Sequence, residues 1–503
     1  MDADSKQLPR GPNQATEIVQ LARARYNVVR GEDGKSYAVA HDLPGVAFGL
    51  RGAGGLRQQL AAAYFDEKRR AASGSALQDA LAVLEGDAMR SPEARVHLRT
   101  GRHEGAIIID RATPNGHAIK ITAEGHRVVE RSPILFRRSP VGMVFPEPKG
   151  EGSLEPLREL LNVDDAHFRL VVAYAVSAWI PDIAHPILAL TGQQGTAKTT
   201  AARMVLGLID PSAASLMSQP RNGDDWAVTA HNAYAIGLDN VSRMQPWLQD
   251  ALCKAVTGDA FVRRELYSDD SLSVLHFRRP IALTTIDPGA LQGDVADRLL
   301  QIELQPISPT QRRTEAEVQE RLESNRVRIT SALLQLLSAV LRELPTTNLR
   351  EKPRMADFAL VLAALDSATG WSTLPDYLAA AETAARDVVD GDTFATAVVE
   401  LVSRAGHWEG TCLDLLEKVS GEKPPREWPG TPRAVAAKLA RFTPALIAAG
   451  IDVHRREERT NRGAIYELSR LDAPACAACG RPLGINANAS THGACAPTLE
   501  EPF

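Results

Sequence analysis

Residues 185–209 read HPILALTGQQGTAKTTAARMVLGLI, and the fold turns on how this stretch is read. It opens on an apolar run of strand length, Ile187 to Leu190. The loop GQQGTAKT follows, and then a helix with Ala201, Ala202, Met204, Val205 and Leu206 available to pack. A strand, a glycine-bearing loop and a helix in that order let backbone N–H groups wrap phosphate oxygens, while the helix N-terminus favours their charge. Gly192 and Gly195 allow the tight turn. Gly192, Gln193, Gln194, Gly195, Thr196, Ala197, Lys198, Thr199 and Thr200 are the expected nucleotide-binding set. Lys198 is expected to reach the β- and γ-phosphates and Thr199 to hold Mg²⁺. Ala197 stands where a glycine usually precedes the lysine. The expected core is an α/β P-loop NTPase that uses ATP and Mg²⁺.

Outward from the loop, strands and helices alternate from 187 to about 305, as an α/β sheet requires. A second buried strand, Tyr234 to Leu238, ends in Asp239-Asn240. An NTPase places its Mg²⁺-organising carboxylate at the end of such a strand, which assigns that role to Asp239. Asn240 occupies the place where a catalytic glutamate often stands. An amide can orient water but accepts no proton as a base.

The next segments are WLQDALCKAVTGDAFVRRELYSDD and HFRRPIALTTIDPGALQGDVADRLLQIEL. In order they run K-x-x-TGD-x-x-x-RR-x-LY, RRP-strand-TT and D-x-ADR. With the phosphate loop and acidic strand, this order resembles the superfamily 3 helicases, and most of all the phage and poxvirus-type primase-helicases of the AAA+ class. The resemblance covers about 185–305, and PRMADFA at 353–359 resembles ATPases of actinobacterial phages and mobile elements. It implies that Lys254, Thr257, Gly258, Asp259, Arg263, Arg264 and Tyr267 belong to the motif before a DNA-contacting hairpin, with Lys254, Arg263 and Arg264 as DNA contacts. It implies that Thr285 is the sensor of the γ-phosphate. It also implies that Arg298 reaches into a neighbouring subunit's nucleotide, and that subunits form a ring, expected to be hexameric.

Past the core, residues 392–470 read as three helices and a hairpin, the pattern of a winged helix that binds DNA. The third helix is expected to begin at Thr431, with Pro432 in its first position. Arg433, Lys438 and Arg441 on it, and Arg455 and Arg456 on the wing, are the expected phosphate contacts. In the tail, Cys476, Cys479, His492 and Cys495 are spaced as two close pairs, which predicts a structural Zn²⁺ knuckle.

The rest of the chain divides by composition. Residues 1–14 are polar and expected to be disordered. Residues 15–95 carry helical periodicity and 103–147 short strands, so 15–150 reads as a helical and then small β-rich region closed by a linker at PEPKGEG. The ATPase core is expected over 151–308, a helical region over 309–391, the winged helix over 392–470 and the zinc tail over 471–503. Net charge is −5, so a DNA partner has to be argued from local basic patches. No apolar run reaches the ~18 residues of a membrane span, and the first residues lack an apolar signal core. Isolated Cys253 and Cys412 fit reduced thiols, and the expected compartment is the cytoplasm. The expected function is an ATP-dependent DNA helicase or translocase for replication of a phage, prophage or plasmid-like element. Two rivals are an ATP-switched initiator or regulator without unwinding, and an ATPase that loads or remodels protein partners.

Overall fold

The computed structural model describes residues 13–52, 54–264, 272–276, 278–286, 293–420, 425, 428–460 and 463–471. The cysteine tail and Tyr267 lie outside these residues. The chain forms two compact units, Met1–Leu374 and Pro375–Phe503.

The first unit is built on a five-stranded sheet. Its strands stand in the order Leu216–Met217, Ile236–Leu238, Ile281–Thr284, Ile187–Thr191 and Leu299–Glu303, and every neighbouring pair is parallel. Ile187–Thr191 and Ile281–Thr284 are buried at every position, as strands covered on both faces must be. Helix Lys198–Ile209 follows the first of these strands and buries Ala201, Ala202, Met204, Val205 and Leu206. Helix Pro246–Thr257 packs Leu248, Leu252 and Val256 into a core shared with Ile236, Leu238, Ile281 and Leu283. Helix Glu315–Glu343 begins at a reciprocal cap. Thr314 accepts from the Glu317 N–H, and the Glu317 carboxylate accepts from the Thr314 N–H.

The helical reading of 15–95 holds for Gln14–Arg25, Leu56–Lys68 and Gly74–Arg90, but a sheet interrupts it. Strands Tyr26–Gly31 and Ser36–Ala40 pair antiparallel around Gly31-Glu32-Asp33-Gly34, with Gly34 at φ +75°, and Ala47–Gly49 adds to their edge. The cue in the sequence was the Asp-Gly turn between valine-bearing runs, a hairpin signal that outweighs weak helical periodicity. The β-rich stretch is an antiparallel meander of Thr100–His103, Ala106–Asp110, Ala118–Thr122 and Gly125–Val129.

This meander is joined to the parallel sheet by buried polar groups. Arg99 Nε meets Asp210 Oδ1 at 2.6 Å, with side chains 5% and 9% exposed. Asp210 ends helix Lys198–Ile209. The Thr100 hydroxyl donates to the Tyr234 hydroxyl at 2.8 Å, and that hydroxyl donates to the Ala178 carbonyl. The stretch PEPKGEG, with the composition of a linker, is docked on helix Glu315–Glu343. There the Lys149 N–H donates to Ser331 Oγ at 3.1 Å, and a side chain on Gly152 would meet the Ala332 backbone at 2.2 Å.

In the second unit, helices Thr393–Ala405, Cys412–Ser420 and Pro432–Ala448 pack around Val398, Val402, Leu415, Val435, Leu439 and Leu446. Thr431 caps the third helix, accepting from the Ala434 N–H, and Pro432 takes its first position. The hairpin Ile451–Thr460 and Gly463–Arg470 gains a third strand, His407–Thr411, in the order His407–Thr411, Gly463–Arg470, Ile451–Thr460. Five residues reading HWEGT carry no alternating apolar pattern. Their pairing is set by the partner strand and by Asp414, which accepts from both the N–H and the hydroxyl of Thr411.

Candidate nucleotide site and basic surfaces

The loop 192–197 leaves the C-terminal end of strand Ile187–Thr191 with three of its residues at positive φ. Gly192 lies at φ +136°, Gly195 at +86° and Ala197 at +64°. A Cβ on Gly192 would stand 2.8 Å from the Leu304 carbonyl oxygen, so this position excludes a side chain twice over. Ala197 adopts αL where glycine is ordinarily needed, and it immediately precedes the helix. Thr196 is buried and its hydroxyl closes the loop on the Gln193 carbonyl at 3.0 Å. Gln193 and Gln194 are exposed, and Thr200 lies in the first helical turn.

Lys198 folds back over this loop, its Nζ donating to the Gly192 and Gln193 carbonyls at 2.8 Å each. Burial lowers its pKa from the ordinary lysine value, and the charge of Asp239 works the other way. Asp239 follows strand Ile236–Leu238 and receives two hydroxyls. Thr199 Oγ1 donates to its Oδ1 at 3.0 Å, and Thr284 Oγ1 donates to the same oxygen at 2.6 Å. Thr284 was missed by the sequence reading, which singled out its neighbour. Thr285 is buried, and its N–H donates to the Leu190 carbonyl at 3.1 Å. Strand alternation is the signal for Thr284, since of two adjacent threonines only one can face Asp239. Asn240 is exposed at φ +54°, a conformation asparagine tolerates, and its N–H donates to Thr284 Oγ1 at 2.8 Å.

A carboxylate, a threonine hydroxyl and a lysine thus converge on a loop at the start of helix Lys198–Ile209, where the first N–H groups have no partner within the helix. Hard oxygen ligands suit Mg²⁺, which is usually held by one or two carboxylates together with phosphate oxygens and water. No cluster of three or more His, Cys, Asp or Glu occurs among the described residues, and a site of this kind needs none.

Arg298 lies elsewhere. It ends the short helix Gly293–Arg298 and precedes Leu299, which pairs with Ile187 at the start of strand Ile187–Thr191. Its side chain is 10% exposed, and Nη1 lies 2.5 Å from Asp294 Oδ2. Arg354, from PRMADFA, meets the other oxygen of Asp294 at 2.5 Å.

Among the basic residues, Lys254 is exposed on helix Pro246–Thr257. That helix ends at Gly258, φ +91°, and a hairpin of Ala260–Arg264 and Leu272–His276 follows, with Arg263 and Arg264 at the tip-proximal end of its first strand. In the second unit Arg433, Arg441 and Arg455 are exposed. Lys438 is not free. It pairs with Asp392 at 2.8 Å and lies over the Phe394 and Phe442 rings. Arg456 is likewise held between Glu409, at 2.9 Å, and Glu467. The predicted zinc ligands Cys476, Cys479, His492 and Cys495 lie outside the described residues.

Residues 154–387 match the family described as actinomycete integrative conjugative element replication protein, and residues 394–481 match the C-terminal domain of the same replication protein, RepA. The two matches take in well over half of the chain. The chain belongs to this replication-protein family. Both units contain family sequence, and the residues around Asp239, Asp294 and Arg354 all fall in the first match. Solved structures similar to the replication protein include one titled SCCmec type IV Cch, active helicase. It has 11% identity and a TM-score of 0.40 over 89% of this chain and 93% of that one. Another is the apo NrS-1 C-terminal region, with 12% identity and a TM-score of 0.39 over 92% of this chain and 100% of that one. No curated protein matches the chain. No described helix is long and apolar enough to cross a membrane.

Proposed function

We propose that this mobile-element replication protein is a Mg²⁺-dependent P-loop ATPase of the AAA+ type. In this reading its turnover drives DNA unwinding or translocation in a hexameric ring of like subunits. The observation that carries the reading is Asp239, with Thr199 Oγ1 at 3.0 Å and Thr284 Oγ1 at 2.6 Å, beside a positive-φ loop that ends in Lys198. Bound ATP·Mg²⁺ supplies the phosphoanhydride and a cation that neutralises its charge. The loop N–H groups and Lys198 bind and orient the phosphates, with Lys198 leaving the Gly192 and Gln193 carbonyls to do so. Thr199 and Asp239 hold the cation. Thr284 fixes the Asp239 carboxylate from the adjacent strand, so its orientation is set before nucleotide arrives.

The second unit serves as a winged helix that meets DNA phosphates through Arg433, Arg441 and Arg455, with Lys254, Arg263 and Arg264 on the first unit as further contacts. The spacing of Cys476, Cys479, His492 and Cys495 supports a structural zinc knuckle in the tail.

ATP turnover by the full chain, with and without single-stranded DNA, tests the function. DNA-stimulated turnover with strand displacement is expected, and turnover indifferent to DNA would leave the remodelling reading instead. One observation favours an ATP-switched initiator. Asn240 offers an amide where a general base would stand, and it is exposed at the mouth of the site. That reading expects slow turnover and ATP-dependent site-specific binding without strand displacement.

A further inference from the structure

Helix Pro246–Thr257 ends where the hairpin of Ala260–Arg264 and Leu272–His276 departs and returns. The last four carbonyls of a helix have no partner within it, so groups from outside must take them. Three of these carbonyls take backbone N–H groups. That of Lys254 accepts from Gly258 at 2.9 Å and from Asp259 at 3.1 Å, that of Ala255 from Arg279 at 2.8 Å, and that of Val256 from His185 at 3.2 Å. The fourth takes a side chain: Arg278 Nε donates to the Thr257 carbonyl at 3.0 Å. A guanidinium suits this place, because the C-terminal end of a helix carries partial negative charge.

Arg278 also closes the foot of the hairpin. Ala260 pairs with His276 and Arg263 with Ser273, and the same register carried two residues outward sets Gly258 opposite Arg278. Gly258 lies at φ +91°, and a Cβ on it would stand 2.8 Å from Arg278 Nε and 3.2 Å from Cζ. The guanidinium thus fills the space that a side chain at 258 would need. Beside it, Thr257 Oγ1 donates to Asp259 Oδ2 at 3.1 Å, which draws the first leg into the same turn. The second leg runs from Arg278 through Arg279 and Pro280 into strand Ile281–Thr284, and Arg279 Nε donates to the Ala230 carbonyl at 2.9 Å. Arg278 joins the two legs across the foot.

We infer that Arg278 is a positioning residue: seated on Gly258 and the Thr257 carbonyl, it sets the angle at which the hairpin leaves the helix, and so places Arg263 and Arg264 against DNA phosphates. Both arginines stand at the far end of the first strand. At about 3.3 Å per residue the stretch from Gly258 to Arg263 spans about 16 Å, so a tilt of about 10° at the foot carries Arg263 about 3 Å, enough to break a charge-assisted hydrogen bond. The inference deepens the helicase reading and rests on it.

The test uses the full chain with single-stranded DNA. Basal turnover of ATP, DNA-stimulated turnover and thermal unfolding are measured for Arg278→Ala, Gly258→Ala and the double variant. Arg278→Ala is expected to keep its basal kcat, its KM for ATP and its Tm near those of the parent, because the loop 192–197 and Asp239 are untouched. The DNA concentration that gives half-maximal stimulation should rise about 10- to 100-fold, the cost of one lost hydrogen bond to a charged group. Gly258→Ala pushes the guanidinium off its seat and should raise that concentration by a similar factor. The double variant should be no worse than either single one, since both changes break one contact. Stimulation of Arg278→Ala at parent DNA concentrations overturns the assignment. So do additive losses in the double variant, which would make the two residues independent. A fall in basal turnover and Tm that matches the loss of stimulation overturns it as well, by making Arg278 a purely structural residue. If Arg278→Ala does not fold, Gly258→Ala decides alone, and parent-like stimulation in that variant overturns the assignment. An unmodified protein whose turnover is absent or indifferent to DNA removes the helicase reading and this inference together. A DNA-stimulated parent whose Arg278→Ala variant responds equally removes the inference alone.

Discussion

Lys198, Ala197 and Thr284 each make a separable contribution to the proposed site. Lys198→Ala removes the charge that two loop carbonyls hold in place. Turnover should vanish while circular dichroism and Tm stay close to the parent, and an active Lys198→Ala enzyme would refute the ATPase assignment. Ala197 sits at φ +64°, which costs an L-residue about 1–2 kcal/mol relative to right-handed backbone. Glycine escapes that cost but loses about 0.5–1 kcal/mol of chain entropy, so Ala197→Gly should leave Tm unchanged or raise it by roughly 1–3 °C. Ala197→Val, branched at Cβ and placed in αL, should weaken nucleotide binding, measured by titration with a fluorescent ATP analogue. Thr284→Val deletes a hydrogen bond to a carboxylate, worth about 1.5–3 kcal/mol. If that bond orients Asp239 for catalysis, kcat should fall roughly 10- to 100-fold with little change in KM. A change confined to KM would make Thr284 a binding residue.

At the level of elements, basic residues that look alike in the sequence separate into two kinds. On strand Ile451–Thr460 Arg455 is exposed, while its neighbour Arg456 is held by Glu409 and Glu467. Arg455→Ala should therefore lower DNA affinity and reduce the slope of log affinity against log salt by about one. Arg456→Ala should act first on the stability of the second unit, because it strands two carboxylates on adjacent strands. Lys438, bound to Asp392 and lying over two phenylalanine rings, should behave like Arg456. Equal losses of DNA affinity at unchanged Tm for all three substitutions would contradict this division. The joint between meander and parallel sheet makes a similar claim about stability. Asp210→Ala leaves Arg99 buried without its carboxylate, and losing one partner of such a pair costs about 3–5 kcal/mol. Urea unfolding should show that loss, and a change under about 1 kcal/mol would mean the pair is well hydrated in solution.

Across the whole molecule, the chain combines a unit that carries the proposed nucleotide site with a second unit that exposes Arg433, Arg441 and Arg455, both within one replication-protein family. The tail adds a testable count. Metal analysis of protein purified without chelators should find one zinc per chain, lost together in Cys476→Ser and Cys479→Ser variants, and a metal-free parent would rule out the knuckle. If ATP sits between subunits, association should depend on nucleotide, and light scattering with and without ATP measures this directly.

Order along the chain determined the loop 192–197 between strand and helix, the acidic strand end and the start of the third helix in the second unit. Each of these rests on residues close in sequence. A left-handed turn needs its glycines, a strand end needs its aspartate, and a helix start needs Thr431 and Pro432 side by side. Tertiary structure alone decided the rest, because the deciding contacts join residues far apart. Thr284 reaches Asp239 only when the third strand from one edge lies beside the second. His407–Thr411 becomes a strand only because Gly463–Arg470 offers it an edge. PEPKGEG has the composition of a linker, yet a helix almost two hundred residues on holds it in place. Likewise, charge and spacing do not distinguish Arg298 from Arg354. Burial does: both pair with Asp294, but Arg298 is 10% exposed and Arg354 52%.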